Sequence, residues 1–331
     1  MTSTSAAETA PDGPTSALPF VCPVCQSLLR QGCGVLECGP CGRWWPVIQG
    51  VAQFVSGVAD SGPFSTPELR ELVSRAEAGN WREALSSHPS ALVRQAAEPA
   101  SYVQRVNWRW LLDLPPDCRI LDLGAGLGAN SHALATPHSE VFAADPASEC
   151  VDFMRHRFTQ EALPNVRIVW SSVWSLPFAA DSFDLAVIDG SLGRIVKGRA
   201  GSPRRLEQSA LERVSALLRP GGYLYLAVEV GSVLATIAHR RQARFSSAHS
   251  IRGYCRLLKA AGFSDVNPYL VLPNHAEPRF FVPQTPALFA YYAHSFNPPP
   301  TGRVRRAAYD FLLRLRVPQR VETSFAIFAR K

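Results

Sequence analysis

The sequence predicts an α/β protein, a parallel sheet covered by helices on both faces, with a small cysteine-rich module in front of it. Three observations carry this expectation. From about residue 101 onward, short β-branched and leucine runs alternate with helix-length segments, the pattern of strands joined by crossover helices. A glycine-rich turn, Arg119-Ile-Leu-Asp-Leu-Gly-Ala-Gly-Leu-Gly-Ala-Asn130, joins the first of these runs to a helix. Ahead of all this, Cys22-Pro-Val-Cys25 and Cys38-Gly-Pro-Cys41 form two CxxC units twelve residues apart.

The strands are expected at 119–123, 140–144, 166–170, 183–188 and 222–230, with helices at 128–136, 147–160 and 203–219 between them. A further helix, Ile251 to Ala261, stops at Gly262, a residue suited to the left-handed turn that ends helices. Strands at 264–272 and 323–330 complete the alternation. Between those two strands, residues 273–320 are far longer than an ordinary connection and are expected to form a lid-like insertion. Four regions follow: a disordered leader over 1–19, a compact module over 20–55, a helical linker over 56–100 and the α/β domain over 101–331. In the linker, Leu69, Leu72 and Val73 share one helical face.

Bulk properties exclude several classes. The chain has 331 residues, enough for a full core. Its longest apolar stretch, Tyr223 to Ala238, contains Glu229 and is too short for a membrane span. The leader lacks the apolar centre of a secretory signal, and the unpaired look of Cys33, Cys118, Cys150 and Cys255 suits a reducing compartment, so a cytoplasmic location is expected. The net charge of +7 rests on arginine, since only Lys197, Lys259 and Lys331 are lysines. Basic character is a weak pointer to anionic partners.

Glycines at 124, 126 and 128 let the chain turn sharply off a strand and bring bare backbone against a ligand. Asp122 just before the turn suits a cationic or hydroxyl-bearing ligand, which favours S-adenosylmethionine (SAM) over a dinucleotide. Asp145, at the end of the second strand, is placed to accept both hydroxyls of a ribose. Gly124-x-Gly126-x-x-Ala129 also matches the dinucleotide fingerprint, but that reading accounts for neither Asp122 nor the segments downstream. Those segments are Leu176-Pro-Phe-Ala-Ala-Asp-Ser-Phe-Asp184 and Leu217-Leu-Arg-Pro-Gly-Gly-Tyr223.

Taken in order, these four blocks resemble the class I SAM-dependent methyltransferases. The resemblance implies a Rossmann-like seven-stranded sheet with an antiparallel last strand. It implies that SAM lies across the strand ends, its methionine part near Asp122, Gly124 and Gly126, its ribose at Asp145 and its adenine near Ser172 and Val173. Relatives commonly carry aspartate where Ser172 stands. The segment after the fourth strand, Asp189-Gly-Ser191, usually faces the transferred methyl in this fold, so Asp189 is a candidate base or acceptor-orienting carboxylate. His249, at a helix start, is a second catalytic candidate, and Glu229 lies at the cleft edge. Tyr102, Trp108 and Trp110 precede the first strand and are expected either to cover the cofactor or to fill the core. Residues 249–263 and 272–280 resemble a bacterial, type 11-like branch associated with glycan or small-metabolite modification. That branch tends to read Gly-Val-Leu-Glu-Trp where this chain has Gly190-Ser-Leu-Gly-Arg194.

Four thiolates on two tight turns are the donor set of a structural zinc site, so Cys22, Cys25, Cys38 and Cys41 are the expected metal ligands. Gly39 and Gly42 are expected to supply the left-handed positions of the two knuckles. Trp44-Trp45-Pro-Val-Ile-Gln-Gly-Val-Ala-Gln-Phe54 resembles the ending of zinc ribbons that precede or partner methyltransferases, some acting on RNA or protein. Residues 301–316 read as a basic amphipathic helix, which either packs on the domain or touches anionic lipid or a phosphorylated substrate. The expected activity is methyl transfer to a hydroxyl or amine of a small metabolite or sugar-containing, glycan-type acceptor. An RNA base methyltransferase using the ribbon is the first alternative, and a catalytically degenerate scaffold the second.

Overall fold

The fold is described from a computed structural model that covers residues 20–55, 62–197, 199–230, 249–285, 288, 302 and 324–331. The leader and, apart from Gly302, the basic segment 301–316 lie outside these residues.

Five strands run parallel in the order β7 (Val166–Trp170), β6 (Glu140–Asp145), β5 (Arg119–Leu123), β8 (Phe183–Asp189) and β9 (Leu218–Glu229). β12 (Ser324–Arg330) then lies antiparallel between β9 and β10 (Ser264–Leu272). These seven strands are the expected sheet with its antiparallel last strand. Strand order reverses at β5 and β8, which opens a crevice above their carboxyl ends, where ligands bind in open α/β sheets.

Both faces of the parallel part are buried, as crossover helices require. Ile120, Leu185, Val187 and Tyr225 pack on one side, while Leu121, Leu123, Ala186 and Ile188 pack on the other. Trp108, in a 3-10 turn over Val103–Leu111, stacks on Tyr225 with ring centroids 3.8 Å apart. It is therefore a core residue, while Trp110 lies 74% exposed on the surface. The crossover helices are α5 (Ala129–Leu134), α6 (Ser148–Gln160) and α8 (Pro203–Leu217), with a short turn of helix, α7 (Leu192–Ile195), after β8. The expected helix over 203–219 yields to strand at Leu218. Pro220-Gly221-Gly222 then sits inside β9, where a Cβ on Gly222 would lie 3.2 Å from the Asp184 carbonyl. α9 (Ile251–Ala260) begins at Ser250, whose hydroxyl accepts the Gly253 N–H.

Residues 66–101 form α1 (Thr66–Ala78), α2 (Trp81–Ser86), α3 (Ala91–Arg94) and α4 (Ala97–Ser101). Ser65 and Glu68 close a reciprocal capping box at the start of α1. Leu69, Leu72, Trp81, Leu85 and Val93 bury against Phe153 of α6.

Two additions extend the sheet. β1 (Arg30–Gln31), β2 (Val35–Glu37), β3 (Trp44–Ile48) and β4 (Val51–Gln53) belong to the cysteine module, and β4 pairs parallel with β7. At the opposite end β11 (Phe280–Pro283), from the insertion, pairs antiparallel with β10.

Arg157 of α6 joins these layers and is fully buried. It donates to the carbonyls of Leu127 (2.8 Å) and Ala100 (2.7 Å), lies 2.8 Å from His132 Nδ1, and covers the Trp81 ring at 4.1 Å. Burial, the largest influence, lowers its pKa to about 9. Removing it strands two carbonyls in the interior. Arg157→Met is expected to cost about 2–4 kcal/mol in urea unfolding, the scale for a broken buried network. A loss below about 0.5 kcal/mol would mean that those carbonyls find other donors.

Candidate cofactor and acceptor site

The turn after β5 needs glycine for two reasons. Gly124, Gly126 and Gly128 take φ of +68°, +56° and +73°, the left-handed region that side chains disfavour. A Cβ at Gly124 would also meet the Ser191 side chain at 2.7 Å, and one at Gly128 would meet Phe158 at 2.6 Å. The N–H groups of Gly124 and Ala125 donate to the Ala144 carbonyl, which pins the turn against the end of β6.

Above the turn lies a cleft of about 860 Å³. Gly124, Gly126, Asp145, Ser172, Val173 and Asp189 all line it. The volume falls within the range of small-molecule and cofactor sites. Asp145 is buried at the cleft wall, where its Oδ2 accepts from Gly126 N–H and its Oδ1 from Ala147 N–H, both at 2.8 Å. Burial raises its pKa, and those two backbone donors oppose the rise. Trp174 also lines the cleft, and its buried Nε1 has no hydrogen-bond partner among the described residues.

Asp122 stands differently from its expected place. It is not among the lining residues but lies beneath them, 1% exposed, accepting from Ser131 Oγ at 2.6 Å. Burial pushes its pKa up to about 7 against that hydrogen bond. His249 is likewise away from the cleft lining. Its Nε2 is 2.7 Å from Glu207 Oε2 of α8.

Asp189, at the end of β8, is the centre of a network that joins four elements. Its Oδ2 accepts from Arg105 (2.8 Å) and Asn130 (2.9 Å), and its Oδ1 lies 2.7 Å from Nδ1 of His275. The other ring nitrogen of His275 lies 3.6 Å from Glu229 at the end of β9. Burial works against ionisation of Asp189, but His275, Arg105 and Asn130 outweigh it and hold its carboxyl well below the usual carboxylate range. For His275, burial disfavours the cation, yet Asp189 and Glu229 prevail and raise its pKa to about 9. Asp189 is thus a committed anion with little basicity of its own.

Arg105 and His275 were not singled out by sequence reasoning. His275 follows β10 and Arg105 sits in the 3-10 turn, so nothing near either residue in the chain announces Asp189. The one local signal was position, because residues after the strands of an open α/β sheet gather at its carboxyl edge.

The four cysteines form a compact group, with all four sulfurs within 4.8 Å of one another. Cys22 and Cys41 sulfurs are 3.6 Å apart, and those of Cys25 and Cys38 are 3.3 Å apart. Metal–sulfur bonds of about 2.3 Å in a tetrahedron need a similar separation, so this donor set fits zinc. Val24 and Cys25 N–H groups point at Cys22 Sγ, both at 3.4 Å. Gly42 takes the left-handed position after the second knuckle (φ +66°), but after the first that role falls to Gln26 (φ +61°), and Gly39 is not left-handed.

Residues 120–222 match the family of methyltransferase domains. Demethylmenaquinone methyltransferase of Clavibacter sepedonicus is 34% identical over 108 residues, 33% of this chain and 40% of that protein. The biotin biosynthesis bifunctional protein BioHC of Cellvibrio japonicus is 28% identical over 239 residues, 68% of this chain and 45% of that protein. This chain therefore spans less than half the length of either curated relative. The solved structure of a SAM-dependent methyltransferase from Archaeoglobus fulgidus is 16% identical, with a TM-score of 0.49 over 73% of this chain and 100% of that one. Behind its four-cysteine cluster, this chain carries a class I SAM-dependent methyltransferase domain.

Proposed function

We propose that the protein transfers a methyl group from SAM to a hydroxyl or amine of a small metabolite or sugar-containing intermediate. The observation that carries this reading is the cleft itself. A glycine turn and a buried Asp145 form one wall, and the Asp189 network stands at the adjoining strand ends. In this reading Asp145 accepts the ribose hydroxyls, Gly124 and Gly126 leave room for the methionine part, and Ser172 and Val173 meet the adenine. Asp122, bonded to Ser131, supports the turn from below. SAM supplies a methyl on a sulfonium that is already activated, so the protein's work is to align the acceptor.

An amine acceptor needs no base in the transfer, whereas a hydroxyl must give up its proton. Asp189 is too strongly ion-paired to take that proton and instead orients its partner. His275 does not take it either, because its pKa of about 9 makes it an imidazolium held between Asp189 and Glu229 at neutral pH, so a hydroxyl acceptor would give its proton to solvent in this reading. Glu229 of β9 flanks the same imidazole, and Ser324 Oγ of β12 accepts from the His275 backbone N–H at 2.8 Å. His249 has no part in this arrangement, since its partner is Glu207.

The RNA alternative keeps one observation in its favour, the 63% exposed Trp44 on the ribbon. Binding of total RNA that weakens steeply with salt would favour it.

Calorimetry with S-adenosylhomocysteine is expected to show binding, and Asp145→Asn is expected to weaken it about tenfold, roughly 1.4 kcal/mol. No heat from the wild-type protein at high micromolar ligand would sink the enzymatic reading and leave the scaffold. A second expectation concerns pH. The folded pKa of His275, about 9, lies above the ordinary 6.5. Its pairing with Asp189 therefore contributes stability that is complete below pH 6.5 and lost as pH rises through 9. The stability gap between wild type and His275→Asn should shrink across that window in urea titrations. A gap that stays constant would rule out the ion pair.

A further inference from the structure

The cysteine module does more than extend the sheet. Ser171, Ser172, Val173 and Trp174 line the cleft on a loop that has few bonds of its own. Ser175 N–H donates to the Ser172 carbonyl (3.0 Å), and the remaining contacts within the loop run through serine hydroxyls. The Ser171 N–H donates to the Asp145 carbonyl (3.1 Å), Val173 and Leu176 are buried, and at each end of the loop a further bond comes from the module. Just before it, the Trp170 carbonyl accepts from Phe54 N–H at 2.8 Å. Just after it, the Pro177 carbonyl accepts from Val21 N–H at 2.9 Å.

Aromatic rings fill the space between these two anchors. Phe20 meets Phe54 at 5.6 Å and Phe178 at 5.8 Å, and Trp45 meets Phe54 at 5.7 Å. Val21 adjoins Cys22, a member of the thiolate group, and Phe54 follows β4 directly. Val55, the next residue, lines the cleft, as do Gly62, Pro63 and Phe64 farther along the chain. The module has few buried apolar side chains, among them Val21, Leu36, Val51 and Phe54. A unit that small depends on its metal to fold.

We propose that the metal-bound cysteine module is a clamp that sets the shape of the 171–176 loop, and through it the affinity of the cleft for the nucleoside half of its ligand. Val21 and Phe54 are the positioning residues. The ligand's identity rests on the methyltransferase reading, but the hold on the loop does not.

The test compares the zinc-loaded full chain with the same protein stripped by a chelator, zinc content being measured directly. Backbone hydrogen exchange over 171–176 is read without ligand, and S-adenosylhomocysteine affinity by calorimetry. Stripping is expected to speed exchange in the loop at least tenfold and to weaken binding at least tenfold. Phe20→Ala removes the ring between the anchors without touching the thiolates or the cleft lining. It is expected to keep its zinc and to show a smaller change of the same sign in both readouts. A stripped protein that stays folded, exchanges slowly over 171–176 and binds with unchanged affinity would overturn the clamp. Where stripping unfolds the whole chain, a zinc-replete Phe20→Ala with wild-type loop exchange overturns it instead. A loop that loosens on stripping in a protein that binds no S-adenosylhomocysteine would keep the clamp and remove the methyltransferase reading.

Discussion

A carboxylate taken out of water must be protonated, hydrogen-bonded or paired, and the carboxyl edge of this sheet buries three of them on neighbouring strands. Asp122 on β5 has a single hydroxyl partner and gains basicity from its burial. Asp145 on β6 is held by two backbone N–H groups. Asp189 on β8 is held by a guanidinium, an amide and an imidazole, and stays ionised. The three environments divide one chemical group into a carboxyl bonded to a hydroxyl, a carboxyl held by backbone donors and a charge-paired anion. The glycine turn belongs to the same constraint, since only a chain without side chains at 124 and 126 can lay its Gly126 N–H against Asp145.

The Asp189 network also ties distant parts of the chain into one site. Arg105 arrives from the segment before the first core strand, Asn130 from α5, and His275 from the connection after β10. A Cβ on Gly190 would sit 2.9 Å from the His275 ring, so the imidazole is packed closely over the turn that follows β8. The paired charges make Asp189 poor at accepting a proton, and the close packing fixes the His275 imidazolium beside it.

At the other end of the cleft the cysteine module completes the sheet. An exposed β7 edge would offer unpaired backbone groups to other chains, and β4 covers it in parallel register. The module therefore shares a core with the domain, through Phe20, Phe54 and Phe178, and its last residues run directly into the cleft wall. Apolar packing onto the domain replaces the interior that a module of this size cannot build from its own residues.

Much of the fold was legible from periodicity alone. Nearly continuous apolar runs, such as Ile120–Leu123 and Phe183–Ile188, read as central strands of a covered sheet. Gly262 marked where α9 stops, whereas Pro220-Gly221-Gly222 falls inside β9. The thiolate group was legible too, because CxxC spacing encodes a local turn. Local patterns do not record which side chains meet across the sheet. The sequence points to His249 and gives no sign of His275. Only the packing sends the first to Glu207 and the second to Asp189. Likewise Asp122 belongs to the glycine motif, yet the pleat of β5 turns it beneath the cleft. The chain by itself determined where strands and helices fall along it, the glycine turn and the metal-type cysteine pairs, since each depends on neighbours in sequence. The tertiary structure decided the partners of the buried charges and the docking of the module on β7, because those depend on burial and distance between segments far apart in the chain.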